Sequence, residues 1–179
     1  RIFLTGGTGF FGKSILDYFT RHPVEGLHFT VLARHAEEFR SRFPGLCTLP
    51  GLEFENGDVR SFPFPDGKFD FIIHAATPAV TTLAPGEMRS IVVEGTRRVL
   101  EFAGQCGAER LLLTSSGAVY GPQPPDLPLI SEEFPCRPVT EYGIAKLDAE
   151  RMCADSGVDC CIARCFAFIG SWLPRTIHY

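Results

Sequence analysis

A tyrosine and a lysine four positions apart are the side chains in this sequence best suited to acid–base chemistry. Tyr142 and Lys146 lie in the run YGIAK, and on a helix both would project from the same face. A phenol has a pKa of about 10, so it exchanges protons at neutral pH only where a cation stabilises the phenolate. Lowering that pKa by ~2–3 units takes roughly 3–4 kcal/mol of differential interaction, which the Lys146 ammonium would help to supply. We therefore predict that Tyr142 exchanges protons beside a cationic Lys146.

A serine at the end of an apolar run completes the set of candidate catalytic side chains. The run RLLLTS predicts a strand over residues 110–115, followed directly by Ser116. Ligands bind at the carboxyl ends of strands in open α/β sheets, so Ser116 is expected to hydrogen-bond a substrate oxygen and hold it against the Tyr142 hydroxyl. Tyr142 alone would more commonly be a packing residue. The order of the motifs along the chain is what favours a catalytic role for Tyr142.

A glycine-rich loop near the start of the chain predicts a phosphate site. Residues 5–12 read TGGTGFFG, and Gly6, Gly9 and Gly12 form G-x-x-G-x-x-G, a spacing variant of the dinucleotide fingerprint. Gly6 would permit the tight turn, Gly9 the approach of the pyrophosphate, and Gly12 the packing of helix on strand. The helix that follows would present unpaired N–H groups to an anion. We therefore predict NAD or NADP as cofactor, with Lys146 also fixing the nicotinamide ribose.

The residues expected at the adenosine end favour NADP slightly. A ribose-binding residue should lie about 20 residues after the glycine loop, at the end of the second strand. Ala33 and Arg34 stand there, and Arg34 could clamp a 2′-phosphate; an ordinary solvated arginine is the alternative. Asp58 follows Gly57 after the third strand, where it could accept a hydrogen bond from the adenine amino group. A local turn role for Asp58 is equally compatible with the sequence.

Apolar runs and Gly/Pro punctuation predict alternating strands and helices. The predicted strands cover residues 1–5, 28–33, 52–56, 69–75, 110–115 and 158–166, and the predicted helices cover residues 10–21, 36–43, 85–106 and 139–156. This alternation implies right-handed crossovers and one parallel sheet, hence a doubly wound α/β domain of the Rossmann type. The continuous apolar run 69–75 predicts a central strand covered on both faces. The proline-rich segment 121–138 predicts a long, functional loop.

Composition excludes several classes of protein. The 179 residues amount to about one domain, and the net charge of −4 argues against a nucleic-acid binder, which needs a basic surface. No apolar run approaches the ~18–20 residues that span a bilayer, and no signal-peptide pattern begins the chain. We therefore predict a cytoplasmic protein that acts on a small molecule and binds neither membrane nor nucleic acid.

The seven cysteines predict neither a metal site nor a disulfide framework. None of them forms a C-x-x-C pair, and the spacings with histidine that zinc requires are missing. Cys160 and Cys161 lie in an apolar run that predicts a buried strand. We expect structural, inert thiols in a reducing compartment.

Five stretches together resemble the extended short-chain dehydrogenase/reductases of the NAD-dependent epimerase/dehydratase type, over essentially the whole chain. They are TGGTGFFG (5–12), GDV (57–59), HAA (74–76), TSSGAVYG (114–121) and YGIAK (142–146). The resemblance implies catalytic roles for Ser116, Tyr142 and Lys146. It also implies that cofactor contacts come from Phe10, Phe11, Asp58, Val59, Ala75, Ala76 and Thr77. A nucleotide sugar as substrate and a homodimer built through a four-helix bundle are further implications.

Four features of the sequence depart from the pattern of that family. Gly117 and Ala118 stand where the dehydratases carry Asp-Glu, which disfavours 4,6-dehydration. Ala167 replaces an asparagine that grips the sugar pyrophosphate, Glu94 replaces another asparagine, and Ala33 replaces the acidic ribose contact. Family members continue into a smaller substrate-binding domain. We therefore expect residues 1–170 to form the dinucleotide-binding domain and residues 171–179 to begin a substrate-binding region.

The sequence leaves three functions open. In the first, Tyr142 exchanges the proton of a sugar hydroxyl or carbonyl while the nicotinamide exchanges hydride, and the cofactor is regenerated in each turnover, as in an epimerase. In the second, an NADPH-dependent carbonyl reductase consumes its cofactor. The third is a non-catalytic dinucleotide-binding sensor or scaffold. Such proteins usually lose the tyrosine or the lysine, and both are present here.

Overall fold

Six parallel strands form one sheet in the order β3-β2-β1-β4-β5-β6. The computed structural model describes residues 1–78, 83–84 and 86–173. The strands are β1 (Ile2–Thr5), β2 (Phe29–Ala33), β3 (Leu52–Asn56), β4 (Phe71–His74), β5 (Arg110–Ser116) and β6 (Cys160–Cys165). The helices are α1 (Phe10–Arg21), α2 (Ala36–Arg42), α3 (Glu87–Cys106) and α4 (Glu141–Asp155), with short 3₁₀ turns at Pro44–Thr48 and Gly117–Tyr120. This strand order is that of a doubly wound Rossmann domain, so the predicted fold class is confirmed.

The sheet is covered on both sides because neighbouring residues of a strand point to opposite faces. On β1, Phe3 faces a cluster with α3 and α4, where its ring lies 4.9 Å from the ring of Phe102. Leu4 faces the other side and packs with Leu16 of α1 and with Phe29. The sheet is therefore packed between two buried clusters, one on each face. The carboxyl ends of the strands lie outside these clusters, and the loops that follow them can form a site.

The strand order reverses at β1, which pairs with β2 on one side and with β4 on the other. Thr5 at the end of β1 is in register with Leu32 of β2 and with His74 of β4. The glycine loop, the residues after β2 and the residues after β4 therefore begin at the same level of the sheet. Ligands of doubly wound folds bind in the crevice at such a reversal.

The helix and strand boundaries differ from the predicted ones by a few residues. Helix α1 has its predicted bounds, whereas α4 begins at Glu141 because the Thr140 hydroxyl caps it, accepting a hydrogen bond from the Gly143 N–H at 3.0 Å. Helix α3 begins at Glu87, and residue 85, where the sequence placed its start, lies outside the described residues. Residues 122–139 contain neither helix nor strand, so the predicted long loop is confirmed.

Two predictions about strand burial were wrong. Cys161 is exposed and Cys160 only half-buried, because among the described residues β6 is the last strand of the sheet and pairs with β5 alone. The central position predicted for β4 is confirmed, but its first residue, Phe71, is 46% exposed, so the strand is not covered along its whole length. All seven thiols are free, and Cys153 is the one that is buried. Within the described part of the chain, no helix has the length and apolar character needed to cross a membrane.

Candidate functional site

The glycine loop turns tightly against the end of β4, and at two of its positions a side chain would collide with backbone atoms. Gly6 has a φ of +71°, and a Cβ there would lie 2.3 Å from the Ala75 carbonyl oxygen. A Cβ on Gly12 would lie 2.2 Å from the Cα of Gly7. A Cβ on Gly9 would meet only the Gly6 carbonyl oxygen within 4 Å, at 3.2 Å. Gly6 and Gly12 thus let backbone segments approach each other closely, while Gly9 has a single backbone neighbour.

Helix α1 begins directly after this loop without a capping side chain. Its N-cap residue is Gly9, which has no side chain, and no acidic residue stands in the first turn. The N–H groups of the first turn lack partners within a helix and carry the positive end of its dipole. The loop and the start of α1 are therefore suited to bind an anionic group such as a phosphate.

A cleft of about 270 Å³ opens at the reversal of strand order. The predicted cofactor residues that line it are Gly6, Gly9, Arg34, Asp58, Val59, Ala75, Ala76 and Thr77. The cleft is also lined by six residues that the sequence did not predict as cofactor contacts: Thr8, Leu32, Ala33, Gly57, Pro78 and Ile91. Most of these are neighbours of predicted residues in the chain, which was the available signal. Ile91 comes from α3, and nothing in its local sequence points to the cleft.

Phe10, Phe11 and Gly12 are not part of the cleft lining. The two phenylalanine rings lie 5.3 Å apart and pack against Phe168, whose ring stacks on Phe10 at 5.0 Å and 12°. The segment after β6 thus folds back over the start of α1. Ala167, which stands where the family has a pyrophosphate-binding asparagine, is exposed within this segment.

Asp58 at the adenosine end is engaged by the neighbouring Arg60. The guanidinium Nε donates to Oδ1 at 2.8 Å and Nη2 donates to Oδ2 at 2.9 Å, and the backbone N–H of Arg60 also donates to Oδ1. These hydrogen bonds, with a smaller contribution from the charge of Arg34, hold the pKa of the Asp58 carboxyl below its usual value. Asp58 therefore has the turn role that the sequence allowed, and its ionised oxygens keep lone pairs for a further donor. Arg34 is an exposed part of the same cleft lining, near enough for its charge to act on Asp58.

Lys146 is buried at the edge of the sheet between β4 and β5. Its ammonium donates to the Thr77 hydroxyl at 2.7 Å and to the Thr114 carbonyl oxygen at 2.8 Å. Burial lowers the pKa of Lys146 to about 8, and nearby Cys165 and Glu150 act in the opposite direction. Lys146 Nζ lies 5.9 Å from the centroid of the Tyr142 ring. The structure thus brings the two residues together on one face of α4 and connects the lysine to Thr77 of the cleft.

Ser116 lies at the end of β5, where the chain enters the Gly117–Tyr120 turn. Its hydroxyl accepts a hydrogen bond from the Ala118 N–H at 3.2 Å. Helix α4 packs closely on this turn, since a Cβ on Gly143 would lie 2.6 Å from the Ala118 carbonyl oxygen. Gly143 follows Tyr142, so this close approach sets how near the tyrosine-bearing turn of α4 comes to the segment that begins with Ser116.

His74 at the end of β4 fastens the strands beneath the cleft. The Thr96 hydroxyl donates to the Val92 carbonyl oxygen at 2.6 Å, so it accepts from His74 Nε2 at 3.1 Å. His74 Nδ1 is then left to accept from the Thr5 hydroxyl at 2.7 Å. Complete burial lowers the pKa of His74 to about 3, which keeps the ring neutral. The histidine therefore ties β1, β4 and α3 together and carries no charge near Lys146.

Among the residues that the structure describes, no three His, Cys, Asp or Glu side chains are grouped so that they could hold a metal ion. The chemistry available at this edge is that of a phenol, an ammonium and a hydroxyl beside the cleft. Phenol and ammonium together suit proton exchange, and the glycine loop suits a pyrophosphate.

Comparison with known proteins agrees with this geometry. A UDP-glucose 4-epimerase from Streptomyces lividans is 30% identical over 159 residues, which cover 83% of this chain and 45% of that protein. The solved UDP-Glc/GlcNAc 4-epimerase from Campylobacter jejuni is 25% identical with a TM-score of 0.78, over 91% of this chain and 52% of that one. A UDP-glucuronic acid 4-epimerase from Bacillus cereus, solved with UDP-glucuronic acid and NAD, shares the fold at a TM-score of 0.82 and 18% identity, over 98% of this chain and 59% of that one.

The chain spans about half the length of the curated relatives that it matches. The sequence model of the NAD dependent epimerase/dehydratase family matches residues 2–178, which is almost the whole chain. The strand order and the close-packed glycine loop are what a member of that family needs to hold its dinucleotide. The chain therefore belongs to the NAD-dependent epimerase/dehydratase family.

Proposed function

We propose that this chain carries the dinucleotide-binding domain and the proton-transfer residues of an enzyme that epimerises a nucleotide sugar at a hydroxyl-bearing carbon. Residues 1–170 form that domain in this proposal, and residues 171–179 lead into a substrate-binding region. The observation that supports it most directly is the buried Lys146 ammonium, which bonds Thr77 of the cleft at 2.7 Å and lies beside Tyr142. A lysine buried there without a carboxylate contact is costly to the fold, and proton-transfer chemistry gives a reason for it.

The residues of the cleft fit a nicotinamide dinucleotide. The open side of Gly9 and the uncapped start of α1 would receive the pyrophosphate, and Asp58 would accept a hydrogen bond from the adenine amino group. Backbone of Val59, Ala75 and Ala76 would line the path between the two ends. When bound, the dinucleotide supplies the acceptor and donor of hydride.

Each of the three proposed catalytic residues has its own part in the reaction. The Tyr142 phenolate takes the proton of the substrate hydroxyl as that carbon loses hydride, and gives the proton back when the carbon regains hydride. Lys146 stabilises the phenolate and orients the nicotinamide ribose. Ser116 hydrogen-bonds the substrate oxygen and keeps it within reach of Tyr142. Gly117 and Ala118 provide no acid or base for eliminating water, so dehydration is not part of the proposal.

The test of this proposal is product analysis with a nucleotide sugar. The protein is incubated with UDP-glucose or UDP-glucuronic acid and catalytic NAD, and the sugar is examined by NMR for inversion at one carbon. An epimerase interconverts the two epimers with no net change in NADH absorbance. Consumption of NADPH with a carbonyl substrate supports the reductase instead, and cofactor binding without either reaction supports the sensor or scaffold.

Two broader expectations belong to the same proposal. The free thiols are compatible with the reducing cytoplasm. The homodimer is supported by the family resemblance, in which α3 and α4 would meet their counterparts in a four-helix bundle.

A preference for NADP over NAD is the finer part of the cofactor proposal, and it depends on Arg34. We expect Arg34→Ala to weaken NADP binding about tenfold, which is about 1.4 kcal/mol, because the variant loses the cation placed to meet the 2′-phosphate. NAD affinity should change less than about twofold, since Arg34 has no task at a free 2′-hydroxyl. Fluorescence titration with both dinucleotides measures this. Arg40→Ala, an exposed arginine of α2 outside the cleft, is the control, and equal losses for both cofactors would contradict the assignment.

A further inference from the structure

A buried carboxylate lies behind the proposed catalytic residues and has no part in the chemistry proposed above. Glu150 follows Lys146 by four residues on α4, so the two share a face of the helix, and it is only 4% exposed. Arg164 of β6 grips it: Nε donates to Oε1 at 3.1 Å and Nη2 to Oε2 at 2.8 Å. The Ser115 hydroxyl donates to Oε1 at 2.5 Å. The carboxylate is therefore hydrogen-bonded on both oxygens.

The remaining nitrogen of Arg164 reaches two further segments. Its Nη1 donates to the Tyr120 hydroxyl at 2.8 Å and to the Glu132 carbonyl oxygen at 2.9 Å. The guanidinium also lies 4.9 Å from the centroid of the Tyr120 ring. One ion pair thus joins α4, the end of β5, the turn after it, the long loop and β6. Ser116 and Lys146 both lie on segments that this pair holds.

The charges around Lys146 give the pair an electrostatic role as well. The ionisable groups that face it from the packed elements are His74 of β4, Cys165 of β6, and Tyr142 and Glu150 of α4. Burial keeps His74 neutral and raises the pKa of the Cys165 thiol above its usual value. Glu150 is therefore the carboxylate that favours the Lys146 ammonium. Arg164 is ion-paired with Glu150, so its charge is expected to moderate that effect.

We propose that Glu150 and Arg164 act as a positioning pair for the reaction, holding Ser116 and Lys146 in place from behind and setting the charge one helical turn from the lysine. The proposal rests on the proposed function, in which Lys146 and Ser116 are the residues that need to be placed. Neither member of the pair is assigned a contact with substrate or cofactor.

Removing the two charges one at a time gives shifts of opposite sign. Glu150→Gln removes the negative charge and leaves Arg164 uncompensated, so the Lys146 ammonium is disfavoured and its pKa falls. Arg164→Gln leaves the Glu150 charge unmoderated, so the ammonium is favoured and the pKa rises. A purely structural disturbance has no reason to shift the lysine in opposite directions in the two variants.

The experiment is an NMR titration of Lys146 in protein labelled with ¹³C at lysine Cε, alongside the pH profile of turnover. Starting from a pKa of about 8, we expect a fall of about one unit in Glu150→Gln and a rise of about one unit in Arg164→Gln. The alkaline limb of kcat should move with it. Arg110→Gln is the matched control. Arg110 and Asp159 form an exposed ion pair at the start of β5 and just before β6, at the other end of these strands from Ser116. In this variant Lys146 should titrate as in the wild type.

Shifts of the same sign in both variants, or none, would overturn the proposal. If either variant fails to fold, Arg164→Lys and Ser115→Ala are examined instead. Both keep the charges and each loses hydrogen bonds to Glu150, so kcat should fall at least about fivefold while the pKa of Lys146 changes little. Wild-type kcat in both would equally overturn the proposal. The NMR titration needs no substrate, so opposite shifts in a protein that fails to epimerise sugars would refute the proposed function, and with it the positioning role, while still showing that the pair sets the charge around Lys146.

Discussion

The Tyr142→Phe variant is expected to lose at least about a thousandfold in kcat, because it keeps the ring and removes only the oxygen that carries the proton. The ring beside Lys146 would still fill its place, 5.9 Å from Nζ. Dinucleotide affinity should therefore change less than about twofold, since the proposed contacts of the cofactor are made mainly by the glycine loop and the cleft.

The loss is measured as epimer formation by NMR, with dinucleotide binding followed separately by fluorescence. Tyr18→Phe is the matched control, because Tyr18 is an exposed tyrosine of α1 outside the cleft, and its loss of the hydroxyl should leave kcat unchanged. Wild-type activity in Tyr142→Phe would refute the catalytic assignment. An equal loss of activity and of cofactor affinity would show instead that Tyr142 supports the site structurally.

The Lys146→Met variant is expected to lose about a hundredfold or more in kcat and also to bind the dinucleotide more weakly. Methionine fills a similar apolar volume but donates nothing to the Thr77 hydroxyl or to the Thr114 carbonyl oxygen. The Tyr142 phenolate would lose its cation, so the acidic limb of the pH profile should move to higher pH. Unlike Tyr142→Phe, this change affects both chemistry and cofactor binding, because Lys146 has two proposed tasks.

Stability should respond to pH in the direction set by the lysine. Burial lowers the pKa of Lys146 from 10.5 to about 8 in the folded protein, so the folded state binds the proton less well than the unfolded state. The resulting destabilisation is complete below pH 8 and is relieved as pH rises towards 10.5. Wild type should therefore gain stability relative to Lys146→Met over this interval in urea unfolding. Lys68→Met, at an exposed lysine, is the control; the same pH dependence in Lys146→Met and wild type would contradict a buried ammonium.

The glycine loop and most elements could be predicted from sequence because their signals are local. Gly6, Gly9 and Gly12 predict the tight turn that joins β1 to α1, and α1 has its predicted bounds. The exposure of β6 could not be predicted this way. Its first residues are as apolar as those of a central strand, and only the strand order shows that β6 is the last strand of the sheet in the described part of the chain.

Contacts between segments that are distant in the chain could not be predicted from the sequence. Glu150 stands in a helix where a glutamate is ordinarily solvated, and nothing nearby indicates that Arg164 pairs with it. Trp172 lies in a tail without a predicted element, yet its indole N–H donates to Asp17 at 3.1 Å, 155 residues earlier in the chain. The spacing of Tyr142 and Lys146 predicted a shared helix face. It could not predict that Thr77 and Thr114 would receive the ammonium.

Mass spectrometry of the dinucleotide released when the purified protein is denatured decides whether the cleft holds a nicotinamide cofactor. We expect a nicotinamide dinucleotide bound in the cleft. NAD retained at close to one per chain would indicate a cofactor recycled in every turnover, as epimerisation requires. An empty site that binds added NADPH would keep the cleft assignment and favour the reductase. A protein that releases no dinucleotide and binds neither NAD nor NADP would contradict the account.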